Sequence, residues 1–201
     1  DKLELQIPYF NNSDVGVVFS NLWILNKDIK KKKLYTNKKL PRGNIYNNLI
    51  KNYNVGILTA VIRKDFYSKL KKKFDERFSI IGDFDLFLRL SKLYDFESIQ
   101  KPLACYRLHG GNLSIIRKEK EIEELVLWLN ENKCNLNASD IKNIQKNINY
   151  KKFVNLKIEK NYKECLKMVL SSKINLFNIR HLVLLFTPVI LLKKFLWWHQ
   201  D

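Results

Sequence analysis

Two carboxylates, Asp83 and Asp85, stand at the mouth of an almost wholly apolar run, Phe84-Asp85-Leu86-Phe87-Leu88-Arg89-Leu90. An acid placed against apolar surface is costly unless it has a partner or a task. Asp85 has a partner in Arg89, four residues on, where one helical turn brings the two charges together. Asp83 has no such partner in the sequence. A helix entrance favours a negative group there, through the free amides and the dipole. Two readings follow for Asp83: an N-cap residue, or a carboxylate free to act as a general base toward a hydroxyl.

A second polar cluster follows in Cys105-Tyr106-Arg107-Leu108-His109-Gly110-Gly111-Asn112. The segment from Phe96 to Ser114 reads as two short strands ending in a glycine-rich loop. Period-two geometry sets Cys105, Arg107 and His109 on one face, and Ala104, Tyr106 and Leu108 on the other. Arg107 and His109 either address a ligand together or form the solvated basic face of an edge strand.

The elements that must position these residues are legible in outline. Val15 to Leu25 is a strand-rich apolar stretch, and the lysine run at 30–33 with the residues up to Gly43 reads as an exposed connection. Gly43 to Tyr53 predicts a short helix with Ile45, Leu49 and Ile50 on one side. Val55 to Ile62 reads as a strand and Lys64 to Leu70 as a helical turn. Beyond Ser114 the spacing turns helical: Arg117 to Asn130, then a helix from Ile141 capped by Ser139-Asp140, then a helix pair across 150–170.

Taken together, the segments resemble the second half of the catalytic domain of family 2 glycosyltransferases, which have the GT-A fold. The resemblance rests on Gly82-Asp83-Phe84-Asp85 with Arg89, on Tyr106-Arg107-Leu108-His109, and on the lead-in Phe74-Asp75-Glu76-Arg77-Phe78. Lys2 to Gln6 is similar to the segment after the family's metal-binding DxD acids, and Val15 to Asn21 to the strand that follows. Gly82 stands where the family often has Glu.

The fold implied is α/β, a partial GT-A domain over residues 1–115 without its N-terminal nucleotide-binding strands, then a helical region over 116–201. The activity implied is inverting transfer of a sugar from a nucleotide-diphosphate donor to the hydroxyl of a glycan or lipid-linked acceptor. Asp83 would be the catalytic base, and Asp85, Arg107 and Thr59 substrate neighbours. For Asp85 the main role expected is structural, through Arg89; Arg107 could instead brace its loop. Thr59 has a second reading, as a strand residue hydrogen-bonded in the sheet.

His109 would be an extra ligand to a divalent metal, manganese or magnesium, or a direct phosphate contact. That metal is held in the family mainly by the DxD acids, which have no counterpart here. The 201 residues alone are therefore expected not to bind donor productively.

The chain is strongly basic, with a formal net charge of +17, and 46% of its residues are hydrophobic. That hydrophobic content excludes general disorder. Lysine greatly outnumbers arginine, the better residue for bidentate phosphate contact, so a solvated lysine surface is favoured over a nucleic-acid face. Three cysteines with no CxxC spacing argue for a reducing compartment and against structural zinc. The segment 181–198 carries an apolar run, Pro188, Lys193-Lys194 and Trp197-Trp198. It is too short to span a bilayer and suits either peripheral contact at the cytoplasmic face of a membrane or packing on the domain. The competing functional class is a non-catalytic basic module that binds a membrane surface or nucleic acid.

Overall fold

A computed structural model describes residues 1–26, 31–171 and 183–191. The chain divides into two compact units, residues 1–116 and 117–200. The first is mixed α/β around a four-stranded open sheet.

Its central strand is β1, Val15–Asn26. The unbroken apolar run Val15-Gly-Val-Val-Phe19 is buried throughout, so both faces of β1 are covered there. A strand covered on both faces has no reason to alternate. On one side β1 pairs antiparallel with β2, Lys31–Leu34, and with β3, Val61–Ile62. On the other it runs parallel to β4, Asp95–Leu108.

The lysine run was expected to be a loop, yet Lys31–Leu34 is a strand in register with Trp23–Asn26. Backbone pairing fixes it, and the Lys32 ammonium lies 4.2 Å from the centre of the Trp23 ring. The expected strand over Val55–Ile62 is also corrected. Residues Ile57–Thr59 form a 3-10 turn and only Val61–Ile62 is strand. The Thr59 hydroxyl donates to the Gly56 carbonyl at 2.7 Å, a local bond that competes with extended pairing.

The two short strands expected across 96–108 are one strand. Its register against β1 slips where Ser20, Asn21 and Leu22 face Ile99, Pro102 and Ala104. Such a bulge on a strand paired at one edge accommodates Pro102, which has no amide hydrogen to give.

Four helices flank this sheet: α1 (Lys2–Gln6), α2 (Tyr46–Lys51), α3 (Lys64–Lys69) and α4 (Gly82–Ser91). The buried face of α4 carries Phe84, Leu86, Phe87, Leu88 and Leu90, and Phe87 meets Phe96 of β4 edge to face. Gln6 of α1 is fully buried and donates to the carbonyls of Val18 at 3.0 Å and Thr59 at 2.8 Å. Arg63 donates to Phe10 and Val15 carbonyls, tying the stretch between α1 and β1 to the sheet. The unit closes with a short helix, α5, Leu113–Ile116.

The second unit contains α6 (Lys118–Asn132), α7 (Ala138–Ile158) and α8 (Tyr162–Ser171). The cap of α7 is Asn137, whose side chain accepts from the Asp140 amide, so Ser139 and Asp140 lie inside the helix rather than before it. Lys160, with φ of 62°, turns the chain from α7 into α8. Phe153, Cys165 and Leu184 form a small apolar core there. Buried Lys157 donates its ammonium to the Leu185 carbonyl.

The segment expected at a membrane surface, 181–198, is described only over 183–191, where helical residues lie on either side of Pro188; its paired tryptophans fall outside the described residues. Among the described residues no helix is long and apolar enough to cross a membrane.

Candidate functional site

The helix α4 starts two residues earlier than a cap at Asp83 would imply. Its cap position is Ile81, so Asp83 lies in the first turn and is not the N-cap. The Asp83 Oδ1 accepts the Phe84 amide at 2.8 Å, and the side chain is partly exposed. Negative charge is favoured at this end of the helix.

Asp85 is buried and committed. Its Oδ2 accepts from Arg89 Nε at 3.1 Å and Nη2 at 2.8 Å. Arg89 also donates to the carbonyls of Lys72 and Lys73. The acid therefore clamps the lead-in loop onto α4. That loop has its own lock in Asp75, which accepts from Arg77 at 2.7 Å and from Lys72. Arg77 first, then Lys72, holds the Asp75 carboxyl well below the usual carboxylate range, against an opposing push from burial.

Tyr53, which no sequence pattern singled out, stands beside Asp83. Its ring packs edge-on against Phe84, with centroids 5.6 Å apart. Its hydroxyl oxygen is sealed from solvent. Burial pushes this phenol well above its usual range, and the charge of the nearby Asp83 carboxylate pushes it further. Tyr53 thus stays neutral, and its hydroxyl oxygen has no hydrogen-bond partner among the described residues.

On its other side Tyr53 lines a cleft of about 240 Å³, together with Tyr35, Lys38, Lys39, Lys51 and Asn54 among others. One wall, residues 35–41, is fastened to the sheet. The Tyr35 amide bonds the Leu22 carbonyl at 2.9 Å, Asn21 Nδ2 the Thr36 carbonyl at 2.7 Å, and the Leu40 amide Gln100 Oε1 at 2.9 Å. Gly43, with φ of 76°, bridges Phe96 through two backbone bonds. Asp83 does not itself line this cleft; Tyr53 connects the two.

Arg107 and His109 flank Leu108, the last residue of β4, and both are exposed on the face shared with Cys105, as the alternation predicts. The loop closes on itself: Asn112 Nδ2 donates to Tyr106 Oη at 3.1 Å and to the Arg107 carbonyl at 3.2 Å. Among the described residues no hydrogen bond or ion pair links Asp83 to either one. The fastened wall lies level with Leu22, which faces Ala104 on β4. His109 lies five residues beyond, roughly 16 Å of extended strand.

Thr59 is fully buried with both hydroxyl functions used, donating to Gly56 and accepting the Ser20 amide at 3.2 Å. Its place is in the sheet scaffold.

Manganese and magnesium want several oxygen ligands, and among the described residues no group of three or more His, Cys, Asp or Glu could hold an ion. His109 Nδ1 accepts the Gly111 amide at 3.1 Å.

No protein-family model matches this chain, and no curated protein matches it either.

Proposed function

We propose that this chain serves a glycosyltransferase of the GT-A type, resembling family 2, that transfers a sugar from a nucleotide-diphosphate donor to an acceptor hydroxyl with inversion. The observation that carries the reading is Asp83: a partly exposed carboxylate in the first turn of α4, backed by a neutral Tyr53 that lines a basic cleft. A hydroxyl is a poor nucleophile at neutral pH. As its oxygen bonds the anomeric carbon, the bond to the diphosphate breaks and the hydroxyl proton passes to Asp83. The Phe84 amide, bonded to Oδ1, holds that carboxylate in place. Arg107 and His109 are the groups suited to anionic oxygen.

Peripheral contact with an anionic membrane at the cytoplasmic face belongs to the same proposal. It is supported by the exposed side chains of Val183, Phe186 and Ile190. A basic module without catalysis is the competing reading, and salt-sensitive binding of random DNA with no sugar transfer favours it.

The test is nucleotide release from a panel of nucleotide sugars by the protein carrying this chain. Asp83→Asn should lower turnover by roughly 10²–10⁴-fold while donor binding persists. Undiminished turnover in that variant removes Asp83 from the base role.

A further inference from the structure

Nineteen of the chain's twenty acids precede Cys165, and the last is Asp201. Between Cys165 and Gln200 the sequence holds five lysines and arginines, no carboxylate, and twenty-two hydrophobic residues in thirty-six. A solvated surface mixes its charges even on a basic chain. A stretch that is apolar and cationic only suits the boundary between anionic headgroups and lipid chains. Its sequence ends in Trp197-Trp198, a residue type that prefers that boundary.

The helix α8 leads into this stretch and is apolar on two sides. Cys165 is fully buried and, with Met168 and Val169, packs against Phe153 and Leu184. That side is the core-facing stripe expected of any surface helix. Tyr162, Leu166 and Leu170, spaced by four, form a second stripe about 100° further round. All three are exposed, Leu170 at 74%. Lys163 and Lys167 border this outward stripe, and the one acid on α8, Glu164, is paired with Lys167 at 2.6 Å.

The segment 183–191 repeats the arrangement. Leu184 sits in the same core, and the Leu185 carbonyl takes the Lys157 ammonium, which ties the segment to α7. Val183, Phe186 and Ile190 are exposed, Phe186 at 79%. Of the eighteen exposed large hydrophobic residues among those described, seven fall on these two short pieces. Scattered apolar side chains need no explanation, but such a concentration marks a contact surface.

We infer that α8 lies in the lipid interface together with the segment 183–191, so that the second unit docks on an anionic bilayer through two elements built on one core. The inference rests on the membrane contact proposed above and deepens it, since that contact needs only the segment 183–191. Stable peripheral anchoring takes more than one signal, and α8 supplies the second. Its lysines keep their ammonium groups among the headgroups while their stems follow the apolar stripe.

Sedimentation of the full chain with phosphatidylcholine vesicles, with and without phosphatidylglycerol, tests this. The parent should bind the anionic vesicles saturably and the neutral ones far more weakly. Leu166→Ser/Leu170→Ser should weaken binding to the anionic vesicles by about tenfold or more. Both leucines are exposed, so the thermal melt of that variant should match the parent's. Leu93→Ser/Leu127→Ser, which removes two exposed leucines from other helix surfaces, should leave binding unchanged.

Undiminished binding in Leu166→Ser/Leu170→Ser overturns the inference and leaves the membrane contact to the segment 183–191. A parent that does not sediment with anionic vesicles removes the membrane reading itself, and the inference with it. Equal losses in the two double variants overturn it too, because general hydrophobicity then explains the binding. Equal affinity for neutral vesicles overturns the choice of an anionic surface. A dimer in sedimentation velocity that Leu166→Ser/Leu170→Ser dissolves, with no vesicle binding, gives the stripe to a second copy and overturns the lipid assignment.

Discussion

Asp85 and Arg89 face each other one turn apart on α4, and the guanidinium that holds the carboxylate at 2.8 Å also holds the carbonyls of Lys72 and Lys73. One side chain therefore joins a helix to the loop that leads into it.

Removing Arg89 strands an acid that is only 6% exposed. Arg89→Ala should cost about 2–3 kcal/mol, below the roughly 3–5 kcal/mol of a fully buried pair because the arginine is part exposed. Lys167→Ala, which breaks the solvated pair with Glu164 on α8, should change stability by less than about 0.5 kcal/mol. Urea unfolding of both variants makes the comparison; equal costs would show that the Asp85 pair is no clamp.

The raised pKa of Tyr53 makes alkaline stability its signature. Below the ordinary phenol value near 10, both folded and unfolded chains hold this proton. Above it the unfolded chain releases the proton and the folded chain does not, so stability falls as pH rises from there toward the folded value. Tyr53→Phe should flatten this part of the decline, read as urea midpoints between pH 8 and pH 11.

Asp75 carries the opposite dependence. Its carboxyl is held low by Arg77 and Lys72, so its contribution is complete above the usual carboxylate range and is lost as pH falls below it. Asp75→Asn should be less stable than the parent at pH 7, and the gap should close as the medium is acidified. A gap that stays constant with pH would assign the loss to packing.

The three cysteines differ in access. Cys105 and Cys134 are exposed and Cys165 is buried, its thiol pushed up chiefly by that burial. Thiolate is the reactive form. A chromogenic disulfide reagent at neutral pH should modify two thiols quickly, with the third following only as the core around Phe153 opens in denaturant. Three fast thiols would contradict the packing of α8.

The sequence made some of this visible and hid the rest for definable reasons. The Asp85–Arg89 pair was legible because helical spacing alone brings those charges together. β1 was legible from its apolar run. β2 was hidden by its lysines, since composition reports solvent exposure and says nothing of backbone pairing at a strand end. The pattern left Asp83 open between a cap and a first-turn acid, because the residue at the cap position, Ile81, has no side chain that could announce it. Tyr53 was invisible: its meaning comes from Asp83, thirty residues away, and no local period connects them. The clustering of Lys38, Lys39 and Lys51 was equally hidden, because only the folding of α2 against the fastened wall gathers them.

The amide of Gln6, seated between the Val18 and Thr59 carbonyls, gives the opening helix a duty out of proportion to its five residues. A protease that clipped behind it would leave two interior oxygens bare, one on the central strand and one on the turn beside it.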